Sequence, residues 1–204
     1  MMVNIIIAGR GGQGMVTAGD LIARAAVENG LHAMSMPSFG VERRGAPARS
    51  YVRISDAPIL LRCDIIAADV LCMCDSTIWQ YSDFLSDVCE NSLLIFNTPL
   101  SAGALEKKLK GGEYSSTLKT DNHHIITTDA TGRALEKIGR PVSNTALVGA
   151  FAAATPFISL SIVKKLILDQ FGPLGEANSA LAEATYDETR DKLEGKLWEL
   201  KMDT

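Results

Sequence analysis

The feature that most constrains this chain is a buried strand that runs into a glycine loop. Val3-Asn4-Ile5-Ile6-Ile7-Ala8 leads to Gly9-Arg10-Gly11-Gly12-Gln13-Gly14 and then to Met15-Val16-Thr17-Ala18. This reads as strand, turn and first helical turn, a junction whose unpaired backbone N–H groups and helix dipole favour an anion. Each glycine has an expected use. Gly9 permits a tight turn, Gly11 and Gly12 let the backbone approach a ligand or neighbour, and Gly14 lets helix and strand pack closely. The spacing of Gly9, Gly11 and Gly14 fits the dinucleotide fingerprint.

The next strand argues against a nicotinamide site. After a helix over 17–29, stopped by Gly30, a strand is expected over 31–36. A dinucleotide site places an acid near the end of that strand, to hold the ribose hydroxyls. Here the stretch is His32-Ala33-Met34-Ser35-Met36-Pro37-Ser38, with no acid. It is followed by Phe39-Gly40-Val41-Glu42-Arg43-Arg44-Gly45-Ala46-Pro47, a loop with consecutive charges on the side where open α/β sheets bind ligands. Arg43 and Arg44 can grip phosphate or carboxylate through planar forks, and Glu42 can hold one of them in place.

The rest of the chain reads as a Rossmann-like α/β fold. The sheet is doubly wound and mostly parallel, with an antiparallel hairpin insertion and C-terminal helices, in a single domain over 1–204. Residues 49–55 alternate as a half-exposed antiparallel strand, with 59–61 as the returning strand. Asp69–Asp75 is a buried parallel strand. Asp75 or Ser76 then caps a helix carrying Ile78, Tyr81, Phe84, Leu85 and Val88, and Glu90-Asn91 turns the chain. Strands follow at 92–96 and 125–128, with a short helix at 102–109 between them. Helices are expected from Asp129 or Thr131 to Ile138, over 145–155, from Ser159 or Ser161 to Phe171, and over 178–201. The Ala- and Gly-rich helix at 145–155 is smooth enough to pack closely, inside the domain or across a subunit boundary.

Composition removes several classes of function. A net charge of −4 gives no electrostatic reason to bind nucleic acid or an anionic membrane. The first apolar run is too short for a membrane span or signal region, so the expected location is cytoplasmic. Cys63, Cys72, Cys74 and Cys89 form no CxxC pair, and Cys72 and Cys74 fall on one face of a buried strand. They read as reduced core thiols. No nucleophile elbow, Walker lysine or carboxylate pair is present, so no catalytic residue and no metal ligand is assigned.

Together the two loops are specific. Gly9–Gly14 with Thr17-Ala18, Phe39–Pro47, Val52-Arg53-Ile54-Ser55-Asp56 and Ala68-Asp69-Val70-Leu71 resemble the gamma subunit of the 2-oxoacid:ferredoxin oxidoreductases. The Glu-Arg-Arg-Gly-Ala-Pro form of the second loop resembles the pyruvate branch, and Asn144 sits where that family has an asparagine before its late helix. The resemblance implies an enzyme complex that converts a 2-oxoacid to acyl-CoA and CO2. Its cofactors are thiamine diphosphate, Mg2+ and [4Fe-4S] clusters, with coenzyme A as co-substrate and ferredoxin or a similar electron acceptor. It implies alpha, beta and ferredoxin-like delta subunits as partners that hold these groups. The gamma chain then has no catalytic residue of its own and serves the coenzyme A end of the pocket, with Gly9, Gly11, Gly12, Gln13, Gly14, Glu42, Arg43 and Arg44 as the expected contacts. The alternative is a free-standing Rossmann-type nucleotide-binding protein or oxidoreductase. The sequence does not select among pyruvate, 2-oxoisovalerate, 2-oxoglutarate, oxalate and arylglyoxylates.

Overall fold

The computed structural model describes residues 1–38, 45–78, 83–111, 123–194 and 197–198. Six strands form one sheet: β1 (Met2–Arg10), β2 (His32–Pro37), β3 (Pro47–Ser55), β4 (Ala68–Met73), β5 (Val88–Asn97) and β6 (His124–Thr128). Their order across the sheet is β2-β3-β1-β4-β5-β6. β1, β4, β5 and β6 run parallel, as expected for near-continuous apolar segments buried on both faces.

The antiparallel element is β3, which lies between β2 and β1 and pairs with both. The expected return strand at 59–61 does not form; the chain is irregular from 58 to 67. Nor is β3 half-exposed. Val52 and Ile54 lie in the core under the helices, and on the other face Tyr51 and Arg53 are also buried. Arg49 forms an ion pair with Asp87 and stacks over the Phe84 ring at 4.6 Å. Alternation of polar and apolar residues signals exposure only when the polar ones find no partner inside.

Helices α1 (Met15–Glu28), α3 (Ala130–Ile138), α4 (Asn144–Ala154), α5 (Leu160–Phe171) and α6 (Gly175–Lys192) bury residues in one core cluster with Val3, Ile5 and Ile7. Ile6, Ala8, Leu71, Met73 and Phe96 face the opposite cluster, closed by α2 (Ala102–Gly111), Phe84 and Ile78. α4 is buried along its whole length, so its smooth surface is used inside the chain. At Gly149 a β-carbon would lie 2.1 Å from the Ala182 carbonyl oxygen, which leaves no room for a side chain where α4 crosses α6.

Further expectations are corrected. Val88 opens β5 instead of closing a helix; Phe84 and Leu85 sit in a 3₁₀ turn at Asp83–Leu85, and Tyr81 lies outside the described residues. Glu90-Asn91 is an interruption within β5, not its start: pairing jumps from Ala68↔Val88 to Val70↔Leu93, and Asn91 has φ +58°. α6 starts three residues earlier than expected and ends at Lys192, because Leu193 and Glu194 turn and Glu194 adopts φ +50°. No helix among the described residues is long and apolar enough to cross a membrane.

Candidate functional site

The parallel strands end beside one another, and the residues just past their ends line a cleft of about 880 Å³. That volume falls in the ordinary range for small-molecule and cofactor pockets. Its walls are Arg10, Gly11, Gly12 and Gln13 after β1, Gly45 before β3, Cys74–Thr77 after β4, Asn97 and Pro99 after β5, Asp129 and Thr131 after β6, and Arg140–Val142 before α4.

The glycine loop is fixed by its own side chains. Gln13 folds back over the loop: its Oε1 accepts from the Arg10 N–H at 2.7 Å, and its Nε2 donates to Asp75 Oδ2 at 3.2 Å. Asp75 also accepts from Arg10 Nε at 2.9 Å, from the Thr77 N–H at 2.9 Å and from the Thr77 hydroxyl at 2.6 Å. Burial works to raise the Asp75 pKa. The donors from Thr77, Arg10 and Gln13 outweigh it and hold the carboxyl below the usual carboxylate range. Asp75 is therefore an occupied counter-charge that sets Arg10 and Gln13 in place.

The glycines divide the work differently from the expected scheme. Gly9 has no left-handed backbone; it is the crowded position, where a β-carbon would lie within 2.9 Å of Gln13 Oε1, Met15 Sδ and Cys74 Cβ. Gly12 and Gly14 supply the turn, with φ +96° and +80°. Gly14 packs against the Asn144 side chain at the start of α4, not against a strand. Gly11 does let another segment approach: its N–H donates to the Ala46 carbonyl at 2.9 Å, and its carbonyl accepts from the Gly45 N–H at 3.1 Å. Arg10 Nη1 donates to the Gly45 carbonyl at 3.2 Å. Glu42, Arg43 and Arg44 lie outside the described residues.

These contacts remove the dinucleotide reading from this edge. In a nucleotide fold, β2 lies beside β1 and carries the ribose acid at its end. Here β3 occupies that place, with Pro47 opposite Arg10 and Ala48 opposite Gly9. The Gln13 side chain folds onto the glycine loop and takes the Arg10 N–H, and the Ala46 carbonyl takes the Gly11 N–H, so these two backbone donors are not open to a pyrophosphate.

Sequence reasoning missed Arg10 and Thr77 as site builders, treated Asp75 only as a possible cap, and left Asn97, just past a strand end, between lining a crevice and turn chemistry. Asn97 Nδ2 donates to the Cys74 carbonyl and to Thr131 Oγ1, both at 2.7 Å, and its Oδ1 accepts from the Thr131 N–H at 3.1 Å. It straps the end of β4 to the start of α3. The Cys74 thiol is pushed up to about 12 by burial and by neighbouring Asp75, so it stays protonated at neutral pH. Asp129 caps α3 through the Gly132 N–H at 2.9 Å. Among the described residues, no group of three His, Cys, Asp or Glu side chains has the geometry to hold a metal ion.

Fold and cleft define a Rossmann-like subunit whose nucleotide-type loop is rebuilt around an internal Arg–Gln–Asp network. The family model described as pyruvate ferredoxin/flavodoxin oxidoreductase matches residues 4–188, and the chain belongs to that family, as a gamma subunit of a 2-oxoacid:ferredoxin oxidoreductase. It is 40% identical over 192 residues to the pyruvate synthase subunit PorC of Methanocaldococcus jannaschii, covering 94% of this chain and 99% of the relative. It is 38% identical over 189 residues to the pyruvate/ketoisovalerate oxidoreductases common subunit gamma of Thermococcus kodakarensis, covering 92% and 97%. The fold is shared with the 2-oxoglutarate:ferredoxin oxidoreductase of Magnetococcus marinus, solved with 2-oxoglutarate, coenzyme A and succinyl-CoA bound. The TM-score there is 0.71 at 22% identity, over 97% of this chain and 32% of that one.

Proposed function

We propose that the chain, 1–204 as one domain, serves a cytoplasmic complex that oxidatively decarboxylates a 2-oxoacid to acyl-CoA and CO2, and that it lines the coenzyme A end of a pocket shared with its partner subunits. Thiamine diphosphate, Mg2+ and the [4Fe-4S] clusters belong in this reading to alpha, beta and ferredoxin-like delta subunits. The described residues of this chain supply no cluster of metal ligands. Coenzyme A carries phosphates on a flexible arm, and they suit the forked arginines of the neighbouring segment.

One observation carries the assignment. Gly45, the residue after Arg44 in the sequence, is hydrogen-bonded to Gly11 and lines the cleft. Gly11, Gly12 and Gln13 form the loop side of the proposed contact, Gly9 and Gly14 pack behind them and shape the loop, and Glu42, Arg43 and Arg44 form the charged side. Coenzyme A bound to the oxidoreductase of the same fold supports this reading.

The test uses the native complex, with partners identified by mass spectrometry. Arg43→Ala and Arg44→Ala are expected to raise the KM for coenzyme A by about tenfold each, the scale of one lost charge-assisted contact, and to leave the KM for the 2-oxoacid unchanged. An unchanged coenzyme A KM in both variants, with an intact complex, overturns the contact. A purified chain that is fully active alone overturns the subunit role.

A further inference from the structure

Among the described residues, the charged side chains that line the cleft are Arg10, Asp75, Asp129 and Arg140. All but the last are engaged. Arg10 and Asp75 form an ion pair at 2.9 Å, Arg10 also donates to the Gly45 carbonyl and to Thr77, and Asp129 caps α3. Arg140 is exposed, and among the described residues its guanidinium has neither an ion pair nor a hydrogen bond. An exposed arginine is ordinarily a solvated charge. The backbone around this one gives it a fixed position. Gly139 closes α3 in the left-handed conformation, at φ +73°, and its N–H donates to the Leu135 carbonyl at 3.0 Å. Pro141 follows, with φ set by its ring. The Val142 N–H then donates back to the Arg140 carbonyl at 2.9 Å, which makes a tight three-residue turn. Arg140 therefore stands on a stiff connection from α3 to α4, and the start of α4 is itself packed onto Gly14.

A guanidinium held at the rim of a cavity of about 880 Å³, with no carboxylate to neutralise it, is a planar fork open to an anionic group of the ligand. The stiff turn beneath it lowers the ordering cost of that contact. Which group it meets follows from the shape of coenzyme A, so the inference rests on the coenzyme A reading above. The thiol must travel inward to the acyl carbon, and the adenosine at the other end of the molecule stays at the rim. The diphosphate lies in the middle of the chain between these ends. The 3′-phosphate is a terminal branch on the adenosine ribose, with its free oxygens open to a fork. We propose that Arg140 binds the 3′-phosphate of coenzyme A and is the residue by which the complex tells coenzyme A from the same thiol without that phosphate. Asp75 is tied to Arg10 and Asp129 to the Gly132 N–H, which leaves Arg140 as the cation available to the ligand from the described walls of the cleft.

The experiment uses the purified complex with wild-type chain, Arg140→Ala or Arg140→Lys, and compares coenzyme A with dephospho-coenzyme A, which carries a 3′-hydroxyl. Kd is measured by calorimetry without the 2-oxoacid, and KM in turnover. Arg140→Ala is expected to weaken coenzyme A by about tenfold in both measurements, the scale of one charge-assisted contact, and dephospho-coenzyme A by less than about twofold. Arg140→Lys keeps the charge without the fork and is expected to fall between wild type and Arg140→Ala for coenzyme A. Lys137→Ala, an exposed cation in the last turn of α3 that does not line the cleft, is the control for general charge and is expected to match wild type. An equal loss for both thiols puts Arg140 on a part they share and overturns the 3′-phosphate assignment. So does a wild-type complex that binds the two thiols equally, or a Lys137→Ala variant that loses as much as Arg140→Ala. Unchanged binding in Arg140→Ala, with coenzyme A still weakened by Arg43→Ala or Arg44→Ala, overturns the role of Arg140 and leaves the coenzyme A reading standing. Unchanged binding in all three alanine variants overturns both.

Discussion

Gly14 and Asn144 are in direct apposition: a β-carbon on Gly14 would lie 2.6 Å from Asn144 Nδ2, and Gly14 has φ +80°. Two helix starts, those of α1 and α4, are thereby locked together across 130 residues of sequence. Asn144 is buried, and its Oδ1 accepts from the Thr145 N–H at 2.9 Å, so its side chain is not free to swing away. Gly14→Ala is expected to destabilise the chain by about 2–4 kcal/mol, combining left-handed strain with the collision. Asn144→Ala in the same background relieves only the collision, so the two changes will be non-additive in denaturant titrations. Additive effects would mean the two residues do not meet.

Asp75 predicts a pH dependence with a definite sign. Its pKa is lowered in the folded chain, so the carboxylate stabilises the fold above its unfolded value near ~4, and that contribution is lost as pH falls through the folded value. Asp75→Asn is expected to cost about 1–3 kcal/mol at pH 7, the range for hydrogen bonds to a charged group. The difference from wild type should shrink below about pH 4. A difference that stays constant from pH 7 to pH 3, in urea unfolding curves, would show that the charge is not what the donors recognise.

How much of this was legible in the sequence follows from where each interaction lies along the chain. β1, the glycine loop and α1 are local, and periodicity with glycine spacing reveals them. The same holds for α3 between Asp129 and Gly139; the smoothness of α4 was legible too, but not that it is covered entirely within this chain. The position of β3 is not local: nothing within Pro47–Ser55 says that it will separate β1 from β2, which is the choice that removes the ribose position. Asp75 meets Arg10 across 65 residues of sequence, so its role became visible only once the strands were aligned. The return strand expected at 59–61 does not form because β3 already pairs on both edges, with β2 and β1, and Leu60 and Leu61 face solvent. The family was legible because two separated loops matched together.

The buried thiols give a kinetic probe. Burial pushes the Cys72 thiol far up and, with neighbouring Asp75, takes the Cys74 thiol to about 12. At pH 8, iodoacetamide is expected to modify exposed Cys63 while sparing Cys72 and Cys74 until the chain unfolds, as followed by peptide mapping. Modification of Cys74 at a rate independent of added denaturant would show that the cleft opens down to the end of β4.

With β3 in the place of a ribose-binding strand and Gln13 over the loop, the isolated chain is expected to give no saturable heat with NAD, NADP or FAD in calorimetry. Binding tighter than about 10 μM, near −7 kcal/mol, would restore the free-standing nucleotide-binding alternative.

The central place of β1 also has a consequence for biosynthesis. It is made before either of its neighbours, and it pairs with residues 47–55 on one side and 70–73 on the other. Until those segments leave the ribosome, Ile5-Ile6-Ile7 is an apolar strand with two open edges, the state most exposed to pairing with another nascent chain. Its two edges close only once residues 47–55 and 70–73 have both been made.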